Sequence, residues 1–226
     1  MPRTREVRKD EAHDRAKRYY ELLFGDRDPV DEPGTATGTP GDWWTTTALV
    51  PDLFDHIADG FAFYRNPNRA LDPKLRELAQ TRTGWVRESQ FVYSQHVKAS
   101  RSVGLSDEKI EAVRAWGVAD CYSPVERAVL AFTDAICLQG GRVPDEIVDA
   151  LRAGGLGDVE LLELTYVVCT YNMHAIISRT LRLEYDDVDD RIVEVPAPSG
   201  DRGLTISSQD AMAVVDDETG GSDEEE

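Results

Sequence analysis

Between Asp72 and Arg182 the sequence is punctuated by helix starts and stops and by little else. Asp72-Pro73 places an N-cap before a proline at the first helical position. Ser123-Pro124 repeats the device, and Pro144 opens a further helix. Proline suits that position because its missing N–H would lack a helical partner there anyway, and its fixed φ matches the helix. Gly104 reads as a left-handed stop with Ser106 as the next N-cap, and Gly154-Gly155 ends the helix that Pro144 begins. These signals predict helices over about 72–85, 89–103, 107–116, 124–138, 144–153 and 158–183. Upstream, 11–24 reads as a charged amphipathic helix ending at Gly25, and 49–64 as a helix striped by Leu53, Phe54, Ile57 and Phe61. No segment alternates at period two for long, and Arg191 to Pro196 is the one candidate strand. The expected fold is all-α, a bundle of about seven helices.

The segment 158–183 is apolar nearly all round, the pattern of a helix buried in a bundle or an oligomer. Glu160, Glu163 and Arg179 argue against its spanning a membrane. A weak repeat at a constant offset of 51 relates Arg101-Ser-Val-Gly104-Leu105-Ser-Asp107 to Arg152-Ala-Gly-Gly155-Leu156-Gly-Asp158. Three regions follow: an N-terminal helix and Gly/Pro-rich loop over 1–48, a helical domain over 49–190, and an extended, disordered acidic tail over 191–226. Trp43 and Trp44 follow the Gly/Pro-rich loop and either pin it to the body or line a pocket mouth.

Charge narrows the partners. The chain carries 43 acidic and 25 basic residues, a formal net charge of −18. Binding nucleic acid requires a basic surface that releases counterions, and anionic lipid requires the same, so neither partner is expected. Eight of the acidic residues lie in 209–226, so much of the charge belongs to the tail. Arg outnumbers Lys 20 to 5, and Asp outnumbers Glu 25 to 18, a composition that resembles proteins of salt-accumulating, halophilic cytoplasms. The N-terminal residues lack an apolar signal-peptide core. Cys121, Cys137 and Cys169 are too widely spaced for a CxxC or a zinc site and read as reduced thiols. A cytoplasmic protein with no metal and no cofactor is expected.

The chemistry concentrates in Leu75 to Leu105. His96 is a titratable side chain in a helix otherwise marked by Phe91, Val92, Val97 and Val103, and Glu77 lies in the helix before it. If the two helices form a hairpin, Glu77 and His96 face each other. A carboxylate on an imidazole fixes its tautomer and makes a general acid/base pair. Taken singly, each residue is also what a structural histidine or a surface Glu-Arg pair would look like. Tyr93, three residues before His96, shares its helix face. His174 reads as a buried structural histidine.

This stretch resembles the carboxymuconolactone decarboxylase family, which includes the alkyl-hydroperoxidase D-type disulfide reductases. The resemblance rests on Arg76-Glu77-Leu78, on Phe91-Val92-Tyr93-Ser94-Gln95-His96, and on Gly104-Leu105-Ser106-Asp107-Glu108-Lys109-Ile110. The Ser123-Pro124 helix and Tyr171-Asn172-Met173 are similar too, so the likeness covers roughly 50–185. It implies an alkyl-hydroperoxidase D-like fold and a homo-oligomer, often a trimer or hexamer.

One departure decides what else it implies. The peroxide-reducing branch carries a Glu, a CxxC and then, after three intervening residues, a His. Laid on this chain, that pattern puts Glu77 and His96 in place but puts Ser89 and Val92 at the cysteine positions. Neither forms a thiolate, so thiol peroxidase activity is disfavoured. The decarboxylase branch implies a lyase acting on a small organic acid or lactone, with His96 as acid/base and Glu77 orienting it. Val92 stands where many cysteine-free members have Glu. An acid substrate needs a cation, and Arg87 at the break between the helices is the candidate, with Tyr93 and Ser89 as further substrate-binding residues. A non-enzymatic oligomeric binding protein on the same scaffold is the remaining alternative.

Overall fold

A computed structural model describes residues 1–189 and 192–203. Among them are nine α-helices, a short 3-10 helix and no strand. Most of the acidic tail lies outside the described residues. The helices are α1 (Asp14–Phe24), α2 (Asp42–Thr47), α3 (Pro51–Arg65), α4 (Pro73–Val86), α5 (Gln90–Ser102), α6 (Asp107–Ala112), α7 (Pro124–Gln139), α8 (Asp145–Ala153) and α9 (Asp158–Leu181). The 3-10 helix Val113–Val118 follows α6, in the stretch that the sequence assigns to one continuous helix.

The predicted caps are made. Asp72 accepts from the Lys74 N–H, Ser106 from Lys109, and Ser123 and Glu126 close a reciprocal capping box. The helix absent from the sequence reading is α2. Its six residues are too few for periodicity to register, so the two tryptophans sit on a helix and not in a loop. The repeat holds at the level of hydrogen bonds. Leu105 N donates to Ser100 O and Leu156 N to Leu151 O, each across a left-handed glycine, and Arg101 pairs with Asp107 as Arg152 pairs with Asp158.

The hairpin α4–α5 is the hub of the fold. Helix α4 packs on α5, α7 and α9. The two hairpin helices meet at Gly84, where a Cβ would stand 2.5 Å from the backbone nitrogen of Tyr93, so only glycine permits the approach. The core falls into three parts. One is aromatic, with Tyr19, Trp43, Trp44, Phe54, Phe61 and Tyr171 brought together from the N-terminal segment, α3 and α9. A second centres on Val129, Phe132, Leu151 and Leu164, and a third on Leu78, Val97, Ile110 and Leu130.

Helix α9 buries Leu164, Val167, Val168, Tyr171 and Ala175. Its opposite face is exposed and apolar: Val159, Leu162, Tyr166, Cys169, Met173 and Ile176, at alternating spacings of three and four. That is the spacing of a helix seam that packs on another helix.

Beyond α9 the chain returns across α5. Gln90 exchanges hydrogen bonds with both backbone groups of Val193, Ser94 does the same with Val195, and Arg101 grips Glu194 at 2.6 and 2.8 Å. Residues 192–196 are therefore extended, as the sequence suggests, but they form no strand. Their backbone is satisfied by α5 side chains in place of a neighbouring strand. Arg191 lies outside the described residues.

Candidate active site

The hairpin brings Glu77 and His96 together. His96 Nδ1 lies 2.7 Å from Glu77 Oε2, and both side chains are buried. Arg76 Nε donates to the other Glu77 oxygen at 3.0 Å, and its NH1 donates to the Tyr64 carbonyl. Turned so that its NH2 faces Glu77, the Gln80 amide donates to both carboxylate oxygens at 3.2 Å. Burial pushes the Glu77 carboxyl up, but His96 and Arg76 outweigh it and hold the group below its ordinary value. Glu77 is thus a carboxylate at neutral pH, with its lone pairs taken up on the protein side.

His96 also lines a cavity of about 210 Å³. Tyr171 stands edge-on to the imidazole, ring centroids 4.2 Å apart, and its hydroxyl is hydrogen-bonded to that of Tyr64. Burial first, then Tyr64, holds the Tyr171 phenol far above its usual value, so it stays protonated. His174 packs among Trp43, Phe61 and Tyr171. Burial and the neighbouring His96 push it down to about 3, so its imidazole is neutral at ordinary pH. Arg65, at the end of α3, lies over Phe61 at 5.3 Å and lines the same cavity.

The far wall comes from the N-terminal segment. Thr35 to Thr39, Trp43 and Trp44 close it. Lys98 Nζ donates to Thr37 O at 2.7 Å and fixes that loop to α5. Glu184, just beyond α9, accepts from the backbone N–H groups of Gly41 and Trp43 at 2.9 and 3.1 Å, while its own N–H donates to Asp42. Burial, with the charge of Asp42 added, pushes Glu184 up to about 8, and burial pushes Asp42 up to about 6.

The other residues expected at the site stand elsewhere. Arg87 is held by the Asn172 side chain and the Cys137 carbonyl and does not line the cavity. Ser89 caps α5 and donates to Asp186 Oδ2 at 2.6 Å, while Tyr93 accepts from Arg114 and packs on Trp85. Of the two positions where the peroxidase pattern has cysteine, Val92 lines the cavity and Ser89 does not. Arg82 is tied to Asp134. What the sequence reading missed is Arg65. Its signal is a cation four residues after Phe61, on the stripe that 49–64 buries. Among the described residues no group of three or more His, Cys, Asp or Glu side chains is placed to hold a metal ion.

The sequence model of the carboxymuconolactone decarboxylase family matches residues 51–135, the stretch that carries both Glu77 and His96. This segment belongs to the carboxymuconolactone decarboxylase family. An uncharacterized Bacillus subtilis protein, YdfG, is 33% identical over 84 residues, which cover 37% of this chain and 57% of that relative. Among solved structures, a protein of unknown function from Agrobacterium tumefaciens is 25% identical, with a TM-score of 0.55 over 66% of this chain and 97% of its own. An alkylhydroperoxidase AhpD core protein from Ralstonia eutropha JMP134, described as peroxidase-related, reaches a TM-score of 0.65 at 18% identity, over 82% of this chain and 93% of its own. The fold is thus AhpD-like. The cavity roof, from Leu22 to Trp44, lies ahead of the segment that the family model matches.

Proposed function

We propose that this carboxymuconolactone decarboxylase family protein is an acid/base enzyme of the lyase type, acting on a small organic acid or lactone. One observation carries the reading: a buried Glu77 carboxylate bonded to Nδ1 of a histidine that lines a cavity. With Nδ1 committed to Glu77, Nε2 is the nitrogen that takes a proton from a cavity occupant or returns one to it. Glu77 fixes the tautomer and stabilises the imidazolium while the proton resides there. Arg65 supplies the cation that Arg87 was expected to supply. Thiol chemistry has less support, since burial pushes the Cys137 thiol up, away from the thiolate.

The test is turnover of a panel of carboxylated lactones and keto acids in D2O, followed by NMR for deuterium entering at carbon or for loss of CO2. Turnover that falls at least about 100-fold in a folded His96→Ala variant supports the reading. Undiminished turnover in that variant refutes it. Peroxide consumption with a dithiol donor, lost when the three cysteines become serine, would favour the thiol mechanism.

We also propose a homo-oligomer assembled through the exposed seam of α9. No charged residue interrupts that seam from Val159 to Ile176, so copies of a strongly acidic chain can meet there without opposing like charges directly.

A further inference from the structure

Two buried hydrogen-bond donors on the wall of the cavity have no partner. The indole Nε1 of Trp43, a side chain only 1% exposed, is one, and the amide Nε2 of Gln95 is the other. A buried N–H without an acceptor is costly, so folded proteins rarely leave one. Both residues line the cavity, as does Arg65, and together they offer donors to acceptor oxygens. Rings of Phe61, Phe91, Tyr171 and the neutral imidazole of His174 line it too, with Leu22 and Val92 as aliphatic neighbours.

We propose that the cavity binds a planar, single-ring aromatic carboxylate, its ring between these side chains and its oxygens received by Trp43 Nε1, Gln95 Nε2 and Arg65. The size agrees. About 210 Å³ exceeds the roughly 150 Å³ cavity in which a benzene ring is accommodated and falls below the roughly 300 Å³ at which drug-sized sites begin. The charge agrees as well. The one carboxyl on the wall, Glu184, has an oxygen on each of two backbone N–H groups and is largely protonated at neutral pH, so it does not repel an anion. Trp43 belongs to the segment ahead of the family match, so this ligand class is a property of the roof and not of the Glu77–His96 pair.

The inference concerns the cavity of the acid/base reading but is tested by binding alone. The full chain is titrated calorimetrically with benzoate, cyclohexanecarboxylate and benzamide near neutral pH. Benzoate should bind at least tenfold more tightly than the puckered ring or the uncharged amide. Trp43→Phe keeps the ring and removes the N–H, and Gln95→Leu removes the amide. Each should weaken benzoate about tenfold, with circular dichroism unchanged. Equal binding of benzoate and cyclohexanecarboxylate, no binding of benzoate, or wild-type affinity in whichever of the two variants folds overturns the proposal. Benzoate binding without proton exchange on any substrate would refute the acid/base reading and leave this one standing. Turnover of aliphatic acids with no affinity for benzoate would do the reverse.

Discussion

Glu77 Oε2 and His96 Nδ1 meet at 2.7 Å across the α4–α5 hairpin, with both side chains buried. Glu77 is 3% exposed and faces Arg76 as well, so its removal strands two cationic or proton-carrying partners in the interior. Glu77→Ala should cost about 3 kcal/mol, read as a lower urea midpoint, because a broken buried pair leaves the partner uncompensated. Glu77→Gln should cost less stability while still lowering turnover and altering its pH profile, which a purely structural carboxylate would not do.

The same pair sets a pH dependence. Glu77 is held below its ordinary value of 4.5, so its contribution is fully present above that pH and is lost as pH falls through the lower folded value. Denaturant midpoints measured from pH 6 downward should therefore fall, and the fall should be shallower in Glu77→Gln.

Glu184 gives the opposite sign. Its folded value of about 8 lies above the ordinary 4.5, so the stability tied to its bound proton is complete below 4.5 and is lost as pH rises through about 8. Asp42, raised from 3.8 to about 6, adds to the loss in the lower part of that window. Glu184→Gln keeps an acceptor for one of the two N–H groups, of Gly41 or Trp43, and cannot ionise. Thermal scans should show the wild type losing Tm between pH 5 and 9 and the variant losing less.

Gly84 is set by backbone proximity. A methyl group there would stand 2.5 Å from Tyr93 N and 2.7 Å from its Cα, atoms that cannot swing aside. Gly84→Ala should destabilise by about 1–3 kcal/mol in urea titration, by overpacking. Whatever turnover remains should fall too, since the hairpin spacing aligns Glu77 with His96.

The seam of α9 predicts an assembly that one charge disrupts. Leu162 is 71% exposed at its N-terminal half, and Leu162→Glu should shift sedimentation velocity profiles toward the monomer without loss of helicity. A wild-type chain that sediments as a monomer at tens of micromolar would refute the seam's role.

Much of the helical order was legible in the sequence because it is written locally. Asp72-Pro73, Ser106 and Ser123-Pro124 act within a turn of themselves, and the structure uses all three. The Glu77–His96 meeting was legible because a short break, Val86 to Glu88, leaves little choice but a hairpin. Arg87 was not. In sequence it looks available, but Asn172 and Cys137 arrive from α9 and α7 to hold it, and no local pattern announces partners so distant. The cavity roof escaped for a related reason. Its loop folds through Glu184 and Lys98, far along the chain, and α2 is too short to show a period. The candidate strand at 191–196 is not formed among the described residues, because from Ile192 onward the backbone meets a row of α5 side chains, which strand rules do not consider.

The returning strap on α5 also bears on how such a chain can be taken apart. The stretch that the family model matches ends at residue 135, before Tyr171, which touches His96, and before Val193 and Val195, which occupy Gln90 and Ser94. A fragment trimmed to that stretch would strip His96 of its aromatic neighbour and leave Gln90 and Ser94 without the backbone they serve. The segment that the family model matches and the segment that the packing requires have different boundaries here. An expression fragment should therefore follow the strap.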